Sequence, residues 1–414
     1  MKIFCGIDWS ERHHDVALVD QDGTLIAKRR IGESVEDFTV LLTLLAEVGD
    51  SAEEPIPVAI ETSRGLLVAA LRATGRPIYA INPMAVARYR ERHCVSRKKS
   101  DHADAMTLAN ILRTDAHAHR RLPADSELAQ AITVLARAAQ DAIWRRSKAI
   151  QELRALLREF YPGFLAAFAD GTVTNLASPE ARAILAIAPT PAAGARLSPA
   201  RITTALRRAG RKRGITTLAA HLHQTLRIPQ LRQPPLVENA MGCQVSALLA
   251  TLATECANAE HLTAAATEAF TQHPDHDIIT SFPGLADLTG ARVLAEIGDD
   301  RTRFTDARAL KAYAGSAPVT RASGRSLSIT RRRIKNDQLN AVGFLWAFAT
   351  LPRPGPPKDH YDHRRAHGDQ HAAALRHLFN RMLGQLYHCL QTHQTYDPTK
   401  AFGQPTTITN QAAT

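Results

Sequence analysis

Four carboxylates in the first 104 residues stand where predicted elements end or begin. Asp8 closes a short apolar run over residues 2–7, and Glu61 closes a β-branched run over 57–60. Asp101 and Asp104 are three apart on a predicted helix, so their side chains share a face. In a sheet whose first and fourth strands are neighbours, the two strand-end acids would lie side by side, with the helix pair facing them. Four acids converging in this way repel one another unless a cation sits among them. Mg²⁺ takes carboxylate oxygen at ~2.0–2.1 Å. Two such ions ~3.5–4 Å apart serve both the attacking and the leaving oxygen of a phosphodiester displacement. Each acid alone has a plainer reading: a turn residue for Asp8, a helix-start acid for Glu61, and complements of a helix N-terminus for Asp101 and Asp104. Their joint occurrence, in this order of elements, points to Asp8, Glu61, Asp101 and Asp104 as ligands of Mg²⁺, with Mn²⁺ as a substitute.

Basic residues accompany the acids. Arg88, Arg90, Arg92, Arg97, Lys98 and Lys99 lie just before Asp101 and would hold a phosphate backbone near it; a solvated charge run is the alternative. A second candidate site lies in 313–335, where Arg321, Arg325, Arg331, Arg332, Arg333 and Lys335 surround Ser323-Gly324. A serine is a poor nucleophile until something takes its proton. Cations nearby would favour the alkoxide and neutralise a phosphate under attack. Ser-Gly is also a common turn pair, so residues alone leave both readings open. Residues 278–298 read as helix, Pro-Gly turn and helix, with Gly284 and Gly290, a layout like a helix-hairpin-helix. Backbone N–H groups at such a turn bind a DNA phosphate without reading sequence. A plain pair of helices is the alternative. The run 201–213 is a further basic stretch. His360, His363, His367 and His371 recur at three- and four-residue spacing. Zinc could take a pair of them, but a solvated or RNA-facing helix is the simpler expectation.

The elements that must position these residues follow from hydrophobic periodicity. Runs at 2–7, 15–19 and 25–31 predict three strands with hairpin spacing. A helix over 34–45 capped by Ser34 follows, then a strand at 57–60 and a helix over 65–73. Next come a strand at 78–81, a helix over 84–92, and a helix over 100–113 capped by Ser100. That order predicts an α/β RNase H-like domain over 1–125 built on a five-stranded mixed sheet. Residues 126–270 predict a helical, coiled-coil region with an apolar seam of Leu135, Ala138, Ala142, Leu153, Leu156 and Leu157. A compact, mainly α unit with the helix-hairpin-helix covers 271–352. After the Pro-rich 351–358 comes a helical extension over 353–395, then a flexible tail over 396–414.

The chain carries 51 Lys and Arg against 40 Asp and Glu, a net charge of +11. That surplus favours a polyanion, nucleic acid above all. The five cysteines are scattered, which argues against a disulfide framework or a Cys-based zinc module. The N-terminus carries charge within ten residues, unlike a signal peptide. No stretch of about 18 uncharged apolar residues is present, so no membrane span is expected.

Several segments together resemble a known family. GIDWS at 6–10, AIETSRG at 59–65 and SRKKSDHADA at 96–105 resemble the first domain of the DEDD transposases of bacterial insertion sequences, the IS-one-ten family that includes the pilin-gene invertases. FPGLADLTGARVLAEIGD at 282–299, RFTDARALKAYAGSAP at 303–318 and ASG at 322–324 resemble that family's second domain. The resemblance covers about half the chain. It implies that Asp8, Glu61, Asp101 and Asp104 are the DEDD metal ligands of a RuvC-like domain. It implies that Ser323 is the nucleophile of a serine transposase domain, joining to a DNA 5′ phosphate. It further implies donor and target DNA as substrates, a structured bridge RNA as guide, dimers or tetramers, and a cytoplasmic, nucleoid-associated protein. Two departures stand out. Lys335-Asn336 and Leu339-Asn340 replace the family's usual Gly-Asn and Leu-Arg, and Gly315-Ser316 replaces a Gly-Leu. Ser316, Ser326 and Ser328 therefore stay as alternative nucleophiles. The competing functions are a resolvase-like nuclease using water and magnesium, and a non-catalytic nucleic-acid-binding protein.

Overall fold

A computed structural model describes residues 2–93, 101–170, 173–324 and 326–402. The chain divides into two compact units, Met1–Ala124 and Asp125–Thr414.

The first unit contains β1 (Phe4–Trp9), β2 (His14–Val19), β3 (Leu25–Ile31), α1 (Val35–Glu47), β4 (Val58–Ile60), α2 (Leu66–Ala73), β5 (Ile78–Ala80), α3 (Pro83–His93) and α4 (Asp101–Asp115). The strands form a five-stranded sheet in the order β3-β2-β1-β4-β5. β1 pairs antiparallel with β2 and parallel with β4, so the sheet is mixed as expected. Boundaries move by a residue or two. β1 runs on to Trp9 and so contains Asp8, while β4 ends at Ile60, one residue before Glu61. Ser34 caps α1 by accepting from the Asp37 amide. Ser100, the expected cap of α4, lies outside the described residues.

Alternation along the strands sorts their side chains to two faces. Cys5, Ile7, Val58 and Ile60 pack with Leu41 and Leu45 of α1 and Leu67 and Leu71 of α2. On the opposite face Ala59 packs with Leu108, Ile111 and Leu112 of α4. Gly6 faces α4, and a Cβ there would lie 2.0 Å from the Ala105 carbonyl oxygen and 2.4 Å from the Ala109 amide nitrogen. Only glycine lets the helix backbone press so closely onto the strand. That contact fixes where the N-terminal acids of α4 sit relative to Asp8.

The second unit is mostly helical. It runs through α5 (Glu127–Phe160), α6 (Pro162–Ala167), the small hairpin β6 (Ala169–Asp170) and β7 (Val173–Thr174), α7 (Pro179–Ile187), α8 (Pro191–Ala195), α9 (Pro199–Arg208), α10 (Ile215–Thr225) and α11 (Pro235–Thr271). It continues with α12 (His276–Thr280), α13 (Asp287–Ile297), α14 (Ala307–Tyr313), β8 (Val319–Ser323), β9 (Ser326–Thr330), α15 (Asp337–Thr350), α16 (Pro356–Ala366), α17 (His371–Thr392) and α18 (Pro398–Phe402). α7, α8 and α9 start alike: Ser178, Thr190 and Ser198 each accept an amide of the first turn, and proline follows. The hydroxyl satisfies an orphan N–H, and proline costs nothing at a position with no intrahelical partner.

α5 and α11 pack along each other. The buried seam of α5 differs in part from the expected one. Ala142, Leu153, Leu156 and Leu157 are inside, but Ile132, Ala136 and Ala139 take the inner positions expected of Leu135 and Ala138. The reason is that the first half of α5 faces α13 as well as α11. One helix among the described residues, α11, is long and apolar enough to cross a membrane by length and composition, with a mean hydropathy of 1.3 over its window. Much of that apolarity is alanine, and the helix lines both apolar clusters of this unit through Leu252, Cys256 and Phe270.

Two further differences from expectation concern the end of the chain and its second site. Residues 396–402, expected to belong to a flexible tail, make packing contacts. Tyr396 stacks on Phe282 at 4.7 Å, and Arg381 lies over the Phe402 ring at 5.1 Å, so aromatic cover holds this stretch down. Residues 403–414 lie outside the described residues. Within the expected mainly α region stands a β-hairpin, β8–β9, which carries Ser323.

Candidate functional site

Ile7 of β1 lies opposite Ile60 of β4. Continuing that parallel register by one residue sets Asp8 and Glu61 abreast. Alternation puts both on the α4 face, since Gly6 and Ala59 stand two residues before them. Asp104 is next to Ala105, the residue that meets Gly6, and is 5% exposed. Asp101 opens α4 one turn earlier, but its side chain lies outside the described residues. The structure thus brings Asp8, Glu61 and Asp104 to one face of one sheet.

A further acid shares that face. Asp15 of β2 lies directly opposite Asp8 and is 5% exposed. Like charges directly opposite each other in a sheet are destabilising. Arg30 of β3 offsets this, donating to Asp15 from Nε at 3.1 Å and from Nη2 at 2.8 Å. The Asp104 carboxylate is likewise bound by Arg90 of α3 through a short ion pair. Among the described residues, no three His, Cys, Asp or Glu side chains are gathered tightly enough to hold a metal ion. The basic run before α4 therefore divides. Arg90 neutralises Asp104, and Arg92 pairs with Asp115 at 3.2 Å while lying over Tyr89. Arg97, Lys98 and Lys99 lie outside the described residues.

Ser323 ends β8 and pairs with Ser326 of β9. Gly324 has φ +55°, a positive value that glycine adopts without strain. Arg325 lies outside the described residues. Alternation puts Arg321, Ser323, Ser326 and Ser328 on one face of the hairpin and Ala322, Leu327 and Ile329 on the other. Ser323 is exposed, and Leu327 and Ile329 are each 67% exposed. The hairpin stands out from the core of its unit, and its polar face presents the hydroxyls of Ser323, Ser326, Ser328 and Thr330 and the guanidinium of Arg321.

Ser316 is placed differently: it is 2% exposed and its hydroxyl donates to the Asn380 side-chain oxygen at 3.0 Å. Asn336 caps α15 and its Nδ2 donates at 2.7 Å to both Glu296 and the Tyr313 hydroxyl. Glu296 is 3% exposed and takes two 2.8 Å bonds from Arg137 of α5. Lys335 lies across Gly315, where a Cβ would come within 2.2 Å of its Cδ. Arg331, Arg332, Arg333 and Lys335, downstream of β9, line an open cleft of about 650 Å³.

Gly284 and Gly290 serve packing. A Cβ at Gly284 would lie 2.9 Å from the Trp346 carbonyl oxygen, and one at Gly290 2.8 Å from the Phe270 ring. Between them α13 begins at Asp287, and its cap residue Ala286 offers no side-chain cap. The histidines do not share one helix face. His360 packs on Phe402, and burial, followed by Arg381 and Arg364, pushes its pKa down to about 4. His363 stacks on His367, and His371, at the start of α17, meets the Tyr361 hydroxyl at 2.7 Å. In the 201–213 run, Arg201, Arg207 and Arg208 are exposed, while Arg211 bonds Glu180 at 3.2 Å. Asp15 and the Arg90–Asp104 pair escape a reading of the sequence. Asp15 reads as an ordinary strand-start polar residue, and its one signal is its alignment with Asp8 once the 15–19 strand is drawn.

Comparison with known proteins adds independent findings. A family model described as "Transposase" matches residues 5–162, and one described as "Transposase IS116/IS110/IS902 family" matches 276–362. The chain is 59% identical over 404 residues to the "Mini-circle putative transposase for IS117" of Streptomyces coelicolor, covering 97% of each chain. It is 29% identical to a 44.8 kDa protein of insertion element IS116 from Streptomyces clavuligerus, covering 96% of each. It is 26% identical to a 42 kDa protein of insertion element IS900 from Mycobacterium paratuberculosis, covering 96% of this chain and 97% of that one.

Proposed function

The chain belongs to the IS116/IS110/IS902 family of transposases, and from that premise we propose that it cleaves and rejoins DNA strands through a phosphoserine formed on Ser323, guided by a structured RNA. The observation that carries the serine reading is the exposed position of Ser323 at the end of β8, with Arg321 on the same hairpin face. In the proposed step Ser323 Oγ attacks the scissile phosphorus and forms an Oγ–P bond. The bond from phosphorus to the 3′ oxygen breaks, and the serine proton ends on that oxygen as a 3′-hydroxyl. A different 3′-hydroxyl then attacks the 5′-phosphoserine, restoring the serine and joining the new strand. Arg321, on the same hairpin face, neutralises charge gathering on the phosphate.

Asp8, Glu61, Asp101 and Asp104 are the residues that would hold magnesium, or manganese in its place. Their donor chemistry fits: they are oxygen ligands only, and three of them are carried to one sheet face beside a close helix–strand contact at Gly6. Bound there, the ion would stabilise the attacking and leaving oxygens of the displacement. Arg90 must release Asp104 for that carboxylate to turn toward its neighbours. The strand order β3-β2-β1-β4-β5 supports an RNase H-like, RuvC-like reading of the first unit. The uncapped start of α13 supports a backbone phosphate contact at the 278–298 turn, of the helix-hairpin-helix kind. The net charge of +11 supports DNA and RNA as partners. Dimers or tetramers, and a cytoplasmic setting with access to the chromosome, complete the proposal.

The test incubates the whole protein with its element's RNA, labelled donor DNA and Mg²⁺, then runs a denaturing gel. A protein–DNA adduct that disappears with Ser323→Ala supports the phosphoserine. Free nicked DNA with no adduct, unchanged by Ser323→Ala, would replace it with a water-using nuclease.

A further inference from the structure

The open cleft downstream of β9 has features that a run of surface arginines does not explain. Its volume of about 650 Å³ falls within the ~300–1,000 Å³ of small-molecule pockets and exceeds what a lone phosphate fills. Five cations line it, Arg331, Arg332, Arg333, Lys335 and Arg376, against one carboxylate, Asp337, which is already bound by Lys335 at 2.6 Å. The Nε atoms of Arg332 and Arg376 are shielded from solvent and have no hydrogen-bond partner among the described residues. A shielded N–H without a partner is costly, so either guanidinium gains by turning toward an acceptor held in the cleft. The start of α17 also lines the cleft, and its cap residue Gln370 makes no side-chain cap bond, so first-turn amides beside the cleft have no side-chain acceptor. Phe344 forms part of the wall and is 43% exposed.

We propose that this cleft binds one unpaired nucleotide of a single strand, its phosphate held by Arg332, Arg376 and the α17 N-terminus and its base stacked on Phe344. The cationic end matches a phosphate by charge and by donor count. The aromatic wall matches a base, because every base has a π-face and stacking tolerates any sequence. A base inside a duplex cannot enter, so the cleft selects strands that are open or have a nucleotide turned out. The proposal rests on the chain acting on nucleic acid, but not on the serine chemistry.

The experiment uses full-length protein and short 5′-phosphorylated oligonucleotides carrying a 5-iodinated pyrimidine at the first position. One arm is single-stranded DNA, one is single-stranded RNA, and one is the fully paired DNA duplex. After irradiation, the cross-linked peptide is identified by mass spectrometry. The expected result is a cross-link on the α15 peptide containing Phe344, from a single strand and not from the duplex. The reactive arm assigns the strand to DNA or to RNA. Arg332→Ala and Arg376→Ala should each weaken single-strand binding by about tenfold or more, the scale of a lost charged hydrogen bond. Phe344→Ala should remove the cross-link while an unmodified melting temperature shows the fold intact. Lysine at position 332 or 376 should restore part of the affinity. A cross-link on another element, or single-strand binding unchanged in all three alanine variants, would overturn the proposal. The same cross-link is read on Ser323→Ala protein, so failure of the phosphoserine reading would leave this result standing on its own.

Discussion

The acid face of the first unit and the serine hairpin of the second are built in opposite ways. Asp8, Asp15 and Asp104 sit on strands and a helix with cores on both sides of the sheet, and Asp15 and Asp104 are only 5% exposed. Ser323 sits on a two-stranded ribbon whose residues are nearly all exposed. Carboxylates that share an ion must converge on a point, and only packed elements hold several side chains to that tolerance. The proposed role of Ser323 calls for reach into a nucleic-acid strand, and an exposed hairpin end beside Gly324 allows that without core contacts. The comparison predicts that chemistry and stability are coupled at the acid face and separable at the hairpin.

The largest expected effect tests the separable side. Ser323→Ala should lower adduct formation on the order of 10³–10⁶-fold, the scale of losing a nucleophile, with no change in melting temperature. Asp8→Asn should abolish the adduct as well. A Ser323→Ala protein that still forms the adduct would move the chemistry to Ser326 or Ser328, which share its hairpin face. Next in size is Gly6→Ala. A Cβ within 2.0 Å of the Ala105 carbonyl oxygen forces α4 off β1. Overpacking of this kind costs about 1–3 kcal/mol or more. Strand cleavage should fall with stability although all four acids remain. Urea unfolding and the adduct gel should move together, and a variant with full stability and no activity would break the claimed coupling.

A smaller effect concerns the ion pair at the acid face. Arg90→Gln leaves a carboxylate that is 7% exposed without its cation. Removing one partner of a buried pair costs about 3–5 kcal/mol, and less is expected here because the Arg90 side chain is 23% exposed. If Asp104 is a metal ligand, the variant should melt lower than the parent in EDTA and recover most of that loss in millimolar Mg²⁺. Equal melting in EDTA and Mg²⁺ would mean that Asp104 serves only its arginine.

How far the sequence revealed this arrangement depends on the range of the interactions. The five strands of the first unit were legible because apolar runs broken by turn residues encode them locally, and Asp8 and Glu61 were legible as the acids that close two of those runs. Arg90 read as one more cation of a phosphate-binding run. Its pairing with Asp104, 14 residues away on another helix, follows from the angle between α3 and α4, which no local pattern carries. The hairpin was missed for a different reason. Ser326-Leu327-Ser328-Ile329-Thr330 does alternate, but neither face is covered, and the surrounding arginines read as a basic loop. Arg376 was not singled out, because it stands on α17, more than forty residues of sequence beyond the arginines it joins in the cleft.

The smallest expected effect is the sharpest check on the hairpin. Leu327→Ser and Ile329→Ser replace side chains that are each 67% exposed, so each should change stability by no more than about ±0.5 kcal/mol. Leu18→Ala, on β2 with no exposure, should cost about 2–5 kcal/mol by the same measurement. The contrast has a built-in control in protein concentration. An isolated chain unfolds with a midpoint that does not depend on concentration, whereas a face covered by a second chain stabilises by mass action. A loss at Leu327 or Ile329 that exceeds the surface range at high concentration and shrinks on dilution would mean that another copy covers the apolar face. The hairpin would then be packed in the assembled state, and its serine would be held as firmly there as the acids are held by their sheet.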